Sequence, residues 1–131
     1  MGKIERFEDI ESWKLARIIC QQIEVLFKET PLKKNFALRD QMERSSGSIM
    51  DNIAEGFGRG GNREFHNFLS YSKGSVTELK SQLYRAWDKN LISNAQFKEL
   101  SFECDKVENK IGAFMYYLRN SDLKGIKFKK E

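Results

Sequence analysis

Proline is almost missing from this chain: Pro31 is the only one in 131 residues. Because proline interrupts helices, its scarcity leaves long stretches free to be helical, and helix-forming residues are in continuous supply. Histidine is equally scarce. The single His66 has Arg63 three residues before it, so the Glu-x-x-His pairs of a di-iron bundle are absent and no metal site can be read. Two cysteines, Cys20 and Cys104, are too few for a disulfide framework. Both lie among helical apolar positions, where a thiol commonly behaves as a small hydrophobe, and a Cys-His nucleophile would need one of them beside His66. No apolar run approaches the ~18 residues of a membrane span. The N-terminal stretch with Glu5, Glu8, Asp9 and Glu11 lacks the shape of a signal peptide, so a cytoplasmic location without membrane contact is expected. These absences leave no catalytic residue, cofactor or metal to name, and the chain reads as a non-enzyme.

What is present is a soluble composition, 40% apolar and 32% charged, in a length suited to one domain. The net charge of +4 is unevenly placed. From Arg119 onward five basic residues face Asp122 and Glu131, a net of +3. Most of the excess therefore sits in a C-terminal tail carrying Lys124, Lys127, Lys129 and Lys130. Such a tail can hold a polyanion by releasing its counterions, or can simply aid solubility.

Turn signals divide the rest into four helices. The first runs from about Asp9, as N-cap, to Glu29, where Thr30-Pro31 ends it. The second follows Asn35 and reaches about Phe57; four glycines between Gly56 and Gly61 then break the helix. Asn62 can cap the third, which continues to about Lys89, and the fourth spans about Asn94 to Ser121. The implied layout is a lead-in over residues 1–8, a bundle over 9–121 and a basic tail over 122–131.

The third and fourth helices carry heptad seams: Phe65, Leu69, Ser72, Val76, Leu79, Leu83 and Ala86, then Phe97, Leu100, Cys104, Val107, Ile111, Phe114 and Leu118. A period near 3.5 favours helices crossing at roughly 20°, and short connections favour sequential neighbours. The predicted fold is an all-α, antiparallel, up-down-up-down four-helix bundle. Large apolar side chains around Ile18 to Phe27 and Phe114 to Leu118 exceed what one seam can hold. Either the core is wide or the protein self-associates through a second buried surface.

The second helix is unusual. Gln41, Arg44, Ser48, Asn52 and Glu55 form a polar stripe beside the small residues Ser45 to Ser48, a pattern that specifies one close packing with hydrogen-bond partners. Antiparallel pairing sets this stripe against the Ser75 and Glu78 side of the third helix, with Arg44 and Glu78 as the expected ion pair. Gly56 to Gly61 contains a G-x-G but neither the preceding strand nor the Lys-Ser/Thr ending of a P-loop. Arg59 and Arg63 nevertheless flank a helix N-terminus, whose free N–H groups and dipole suit an anion, and the alternative is a glycine stop with solvated arginines.

Taken together, Phe7-x-Asp9-Ile10-x-x-Trp13, Gln41-x-x-Arg44-Ser45-x-x-Ser48-Ile49-x-x-Asn52-Ile53-Ala54-Glu55-Gly56, Arg63-x-Phe65-x-x-Phe68-Leu69 and Gly74-Ser75-x-x-Glu78-Leu79 resemble the bacterial four-helix bundle proteins encoded within 23S rRNA intervening sequences. That family is similar in turn to the accessory variability determinant proteins of diversity-generating retroelements. The resemblance implies a homo-oligomer, as a closed pentameric ring, associated with nucleic acid or with a nucleic-acid enzyme and without catalytic activity. It also implies structural roles for Arg44, Ser48, Asn52, Glu55, Gly56, Gly74, Ser75 and Glu78, with Gly74 permitting close helix approach and Asn52 and Glu55 satisfying groups near the end of the second helix. Charge placement alone nominates Arg59, Arg63, Lys124, Lys127, Lys129 and Lys130 for nucleic-acid binding. Two functions stay open: an RNA- or nucleic-acid-binding oligomer, and an interaction scaffold for a nucleic-acid-processing partner.

Overall fold

A computed structural model describes residues 4–121. Four helices, α1 (Glu11–Glu29), α2 (Phe36–Gly58), α3 (Asn62–Asp88) and α4 (Asn94–Arg119), are joined by short connections, with single 3₁₀ turns at Phe7–Asp9 and Pro31–Lys34. Each helix packs against its neighbours in sequence, and α1 against α4 closes the bundle. The α2/α3 seam is the most extensive and the α1/α4 seam the least.

Local chemistry sets most boundaries. The Thr30 hydroxyl donates to Leu26 O at 2.6 Å, closing α1, and accepts from Leu32 N at 3.2 Å, opening the 3₁₀ turn. Asn35 Oδ1 accepts from Leu38 N at 3.2 Å to start α2. At α4, Ser93 and Gln96 exchange bonds in a capping box: Gln96 N donates to Ser93 Oγ at 3.1 Å and Ser93 N to Gln96 Oε1 at 2.8 Å. Asn90 ends α3 in the left-handed region, φ 59°, and Leu91 N reaches back to Ala86 O at 2.9 Å, the Schellman arrangement.

Two expected starts are corrected. Asp9 does not cap α1. Its carboxylate accepts from Glu5 N and Arg6 N at 3.1 and 3.2 Å, closing the first 3₁₀ turn, and Ile10 holds the N-cap. Those two backbone donors hold the Asp9 pKa below its usual value. Gly61 rather than Asn62 is the N-cap of α3. Helix α2 also runs through Gly56 and Phe57 to Gly58, and the reversal is made at Gly60, φ 87°, a conformation in which a side chain is strained.

Both heptad seams are buried along their whole length. Phe65 meets Phe114 edge-on at 5.0 Å, tying the start of α3 to the end of α4. Ile4 of the lead-in and Ile10, the N-cap of α1, are also fully buried in the core. The apolar surplus divides. Ile19, Ile23, Leu26, Phe27, Phe114 and Leu118 are core residues, whereas Ile18, Val25 and Tyr116 remain exposed along with Phe36, Tyr71, Tyr84 and Phe102.

Candidate nucleic-acid interface

The polar stripe on α2 meets α3 through a ladder of small hydrogen bonds. Asn52 Nδ2 donates to both Ser48 O and Ser48 Oγ at 2.9 Å, and Ser75 Oγ lies 3.0 Å from Ser48 Oγ. Below them Ser72 Oγ donates to Ile49 O at 2.7 Å in the core. Ser45 Oγ donates to Glu78 Oε1 at 3.0 Å, and Arg85 to Gln41 Oε1 at 2.9 Å. These side chains are committed to holding two helices in register.

The expected ion pair is not the one formed. Arg44 points to solvent and makes no ion pair among the described residues; the buried Ser45, one position on, takes Glu78 instead. One residue along a helix is about a 100° rotation, so the neighbour rather than the arginine faces α3. The close approach is also elsewhere. Gly74 is exposed with nothing within 4 Å of a Cβ built on it, whereas a Cβ at Gly56 would lie 2.6 Å from Phe68 Cβ and 2.9 Å from Phe65 Cδ1. Gly56 therefore lets the end of α2 meet the start of α3. Glu55, expected to satisfy groups at the helix end, pairs with Arg59 Nη2 at 2.8 Å.

That contact decides between the two loop arginines. Arg59 also lies 3.8 Å from Glu64, and its guanidinium is 5.0 Å from the Phe68 ring centroid. The hydrogen bond to Glu55 raises its pKa further. Its charge is thus spent on two carboxylates. Arg63, on the first turn of α3, is exposed and makes no ion pair among the described residues.

Arg63 lines a groove of about 760 Å³ at this end of the bundle, together with Asn62, Glu64, His66 and Asn67 of α3 and Leu118, Arg119 and Ser121 from the end of α4. The sequence reading missed Arg119 as a partner of Arg63. The antiparallel order was the available signal, because it sets the last turn of α4 beside the first turn of α3. Gly61 gives α3 no side-chain cap, so its first-turn N–H groups have no intrahelical or capping partner. His66 Nε2 and Asn62 Oδ1 are buried without hydrogen-bond partners. Burial, with the nearby charge of Arg119, lowers the His66 pKa. Lys124, Lys127, Lys129 and Lys130 lie outside the described residues.

The remaining reactive groups are quiet. Burial pushes the Cys20 thiol up to about 11 and the Cys104 thiol up to about 12, so neither is a thiolate near neutral pH. Among the described residues no group of His, Cys, Asp and Glu is arranged to hold a metal, and no helix is long and apolar enough to cross a membrane.

A four-helix bundle with a seam of small polar residues and an end groove lined by two arginines that form no ion pair among the described residues is the class that fold and site define. The chain belongs to the 23S rRNA-intervening sequence protein family, whose model matches residues 8–113. It is similar in fold to the 1.70 Å crystal structure of a protein of unknown function from the S23 ribosomal protein family of Bacteroides thetaiotaomicron. That likeness has 21% identity and a TM-score of 0.68, covering 79% of this chain and 94% of the other. No curated protein matches the chain.

Proposed function

We propose that this protein is a non-enzymatic, cytoplasmic homo-oligomer, built as a pentameric ring, that binds structured RNA or another nucleic acid through the arginine-lined groove at one end of each bundle. The observation that carries this reading is the convergence of Arg63 and Arg119 on one groove beside an uncapped helix start, with Arg59 paired to Glu55 and near Glu64. Family membership supports an association with nucleic acid. Two arginines and a short basic tail are modest for one subunit, and repetition around a ring multiplies them.

Light scattering after size exclusion, at about ten micromolar, tests the assembly: a pentamer is expected and a clean monomer rejects it. Fluorescence anisotropy with a structured RNA and a duplex DNA tests the binding. Log affinity should fall against log salt with a slope of about −0.9 for each duplex phosphate contacted and about −0.7 on single strands. No binding at low salt by a folded oligomer would leave the second reading, a scaffold for a nucleic-acid-processing partner. The exposed Phe36, Phe102 and Tyr116 favour that reading, because aromatic anchors are enriched at protein interfaces.

A further inference from the structure

We propose that the groove between the first turn of α3 and the last turn of α4 is a binding site for a terminal phosphate monoester, carried on an RNA end or on a free mononucleotide. The inference rests on the nucleic-acid reading above and narrows it from a general basic surface to one groove with a defined ligand chemistry.

Three independent features point there. The first is shape. At about 760 Å³ the groove falls within the usual range of small-molecule sites, and is roomy enough for a phosphate with its nucleoside. The groove is open to solvent along one side. An end group can enter.

The second is charge. Arg63 and Arg119 both line the groove and neither forms an ion pair among the described residues. Glu64 on the same wall shares Arg59, at 3.8 Å, with Glu55 at 2.8 Å, so the three arginines outweigh the two acids by one charge. A terminal monoester carries a charge of about −1.5 to −2 near neutral pH and three strong acceptor oxygens. A backbone diester carries one charge, so two guanidiniums beside a helix N-terminus discriminate in favour of the end group.

The third feature is unsatisfied polar atoms in the wall. Buried polar atoms are nearly always hydrogen-bonded, yet Asn62 Oδ1 and His66 Nε2, both on groove residues, are buried with no partner. Neither atom is open to the groove as it stands, so each meets a phosphate oxygen only after its side chain turns outward: the Asn62 amide then donates through Nδ2, and the His66 ring through a protonated Nε2. The absence of a side-chain cap at Gly61 leaves first-turn N–H groups for the same ligand. An anion between His66 and Arg119 would also relieve the repulsion that helps to lower the His66 pKa.

His66 is the sole histidine, so its ring resonances give an unambiguous NMR probe. The full-length protein is titrated with inorganic phosphate, adenosine 5′-monophosphate and adenosine. Two short RNAs of one sequence, differing only in a 5′-phosphate or 5′-hydroxyl, are compared by anisotropy. The proposal expects the monophosphate, but not adenosine, to shift the His66 ring signals, and the phosphorylated RNA to bind about tenfold more tightly. Arg119→Gln should erase that preference while leaving helical circular dichroism and residual binding in place. Shifts by the mononucleotide without a preference between the RNAs support the site and assign it to the free nucleotide. Equal binding of both RNAs with a motionless His66 overturns the site and leaves the broader nucleic-acid reading standing. No binding by either RNA, with His66 unmoved by any phosphate, overturns both.

Discussion

The two ends of this bundle are finished differently. At the end holding the α1–α2 and α3–α4 connections, both helix starts are capped by side chains, Asn35 for α2 and Ser93 for α4. Asn90 closes α3 with a Schellman turn. Trp87 stacks on Phe97 at 4.2 Å, Tyr84 meets the same ring at 4.8 Å, and Leu32 and Ile92 are buried beneath. At the opposite end neither α1 nor α3 has a side-chain cap, and two of the four buried polar atoms without partners among the described residues, Asn62 Oδ1 and His66 Nε2, lie there. One end has its helix starts capped by side chains, while the other leaves first-turn donors uncapped beside the two groove arginines. Aromatic packing serves both ends, Phe65 on Phe114 and Phe7 on Trp13 at the open one, so the difference lies in side-chain capping; a helix start left without it keeps its first-turn N–H groups able to bind.

The largest effect should come from damaging the capped end. Phe97→Ala removes a buried ring that contacts both Trp87 and Tyr84. It should cost about 3 to 5 kcal/mol in urea unfolding and leave the groove residues in place. A loss below about 1 kcal/mol would show that the aromatic cluster is peripheral.

Two glycines sharpen the contrast along the α2/α3 seam. Gly56→Ala must displace Phe68 Cβ and Phe65 Cδ1, 2.6 and 2.9 Å from the added methyl, and should destabilise by about 1 to 3 kcal/mol. Gly74→Ala meets nothing within 4 Å and should stabilise the helix by about 0.5 to 1 kcal/mol. Melting curves of the two variants should move in opposite directions. Parallel shifts would mean that the close approach has been misplaced.

A smaller effect separates neighbours on the polar stripe. Glu78→Ala removes the acceptor of the Ser45 hydroxyl at 3.0 Å and should cost about 0.5 to 1.5 kcal/mol. Arg44→Ala, with no ion pair to lose, should stay within about 0.5 kcal/mol of the parent. A double-mutant cycle between Arg44 and Glu78 should show no coupling, and a coupling above about 1 kcal/mol would restore the ion pair.

These residues also show how far the sequence could be read. The seams from Phe65 to Ala86 and from Phe97 to Leu118 were legible because their 3.5-residue period states directly which face is buried. Asn35 was legible because cap chemistry is local. The choice of Ser45 over Arg44 was not, since it depends on how far α2 is rotated against α3. Nor was Gly56 over Gly74, because the clearance around a missing Cβ is set by the facing helix. Arg59 and Arg63 look alike in sequence and part only when Glu55 and Glu64 close on the former. Arg119 required knowing that residues 63 and 119 line one groove, a juxtaposition no local pattern encodes.

The central claim is that the open end, rather than net charge, carries nucleic-acid binding. Two variants of equal charge change test it: Arg63→Gln with Arg119→Gln at the open end, and Lys33→Gln with Lys34→Gln on the 3₁₀ turn at the capped end. Anisotropy titrations of one structured RNA over a range of salt concentrations compare both with the parent. The account predicts that the arginine pair lowers the salt slope by about 0.7 to 0.9 for each contact removed, while the lysine pair leaves slope and affinity unchanged. Equal losses in the two variants would contradict it.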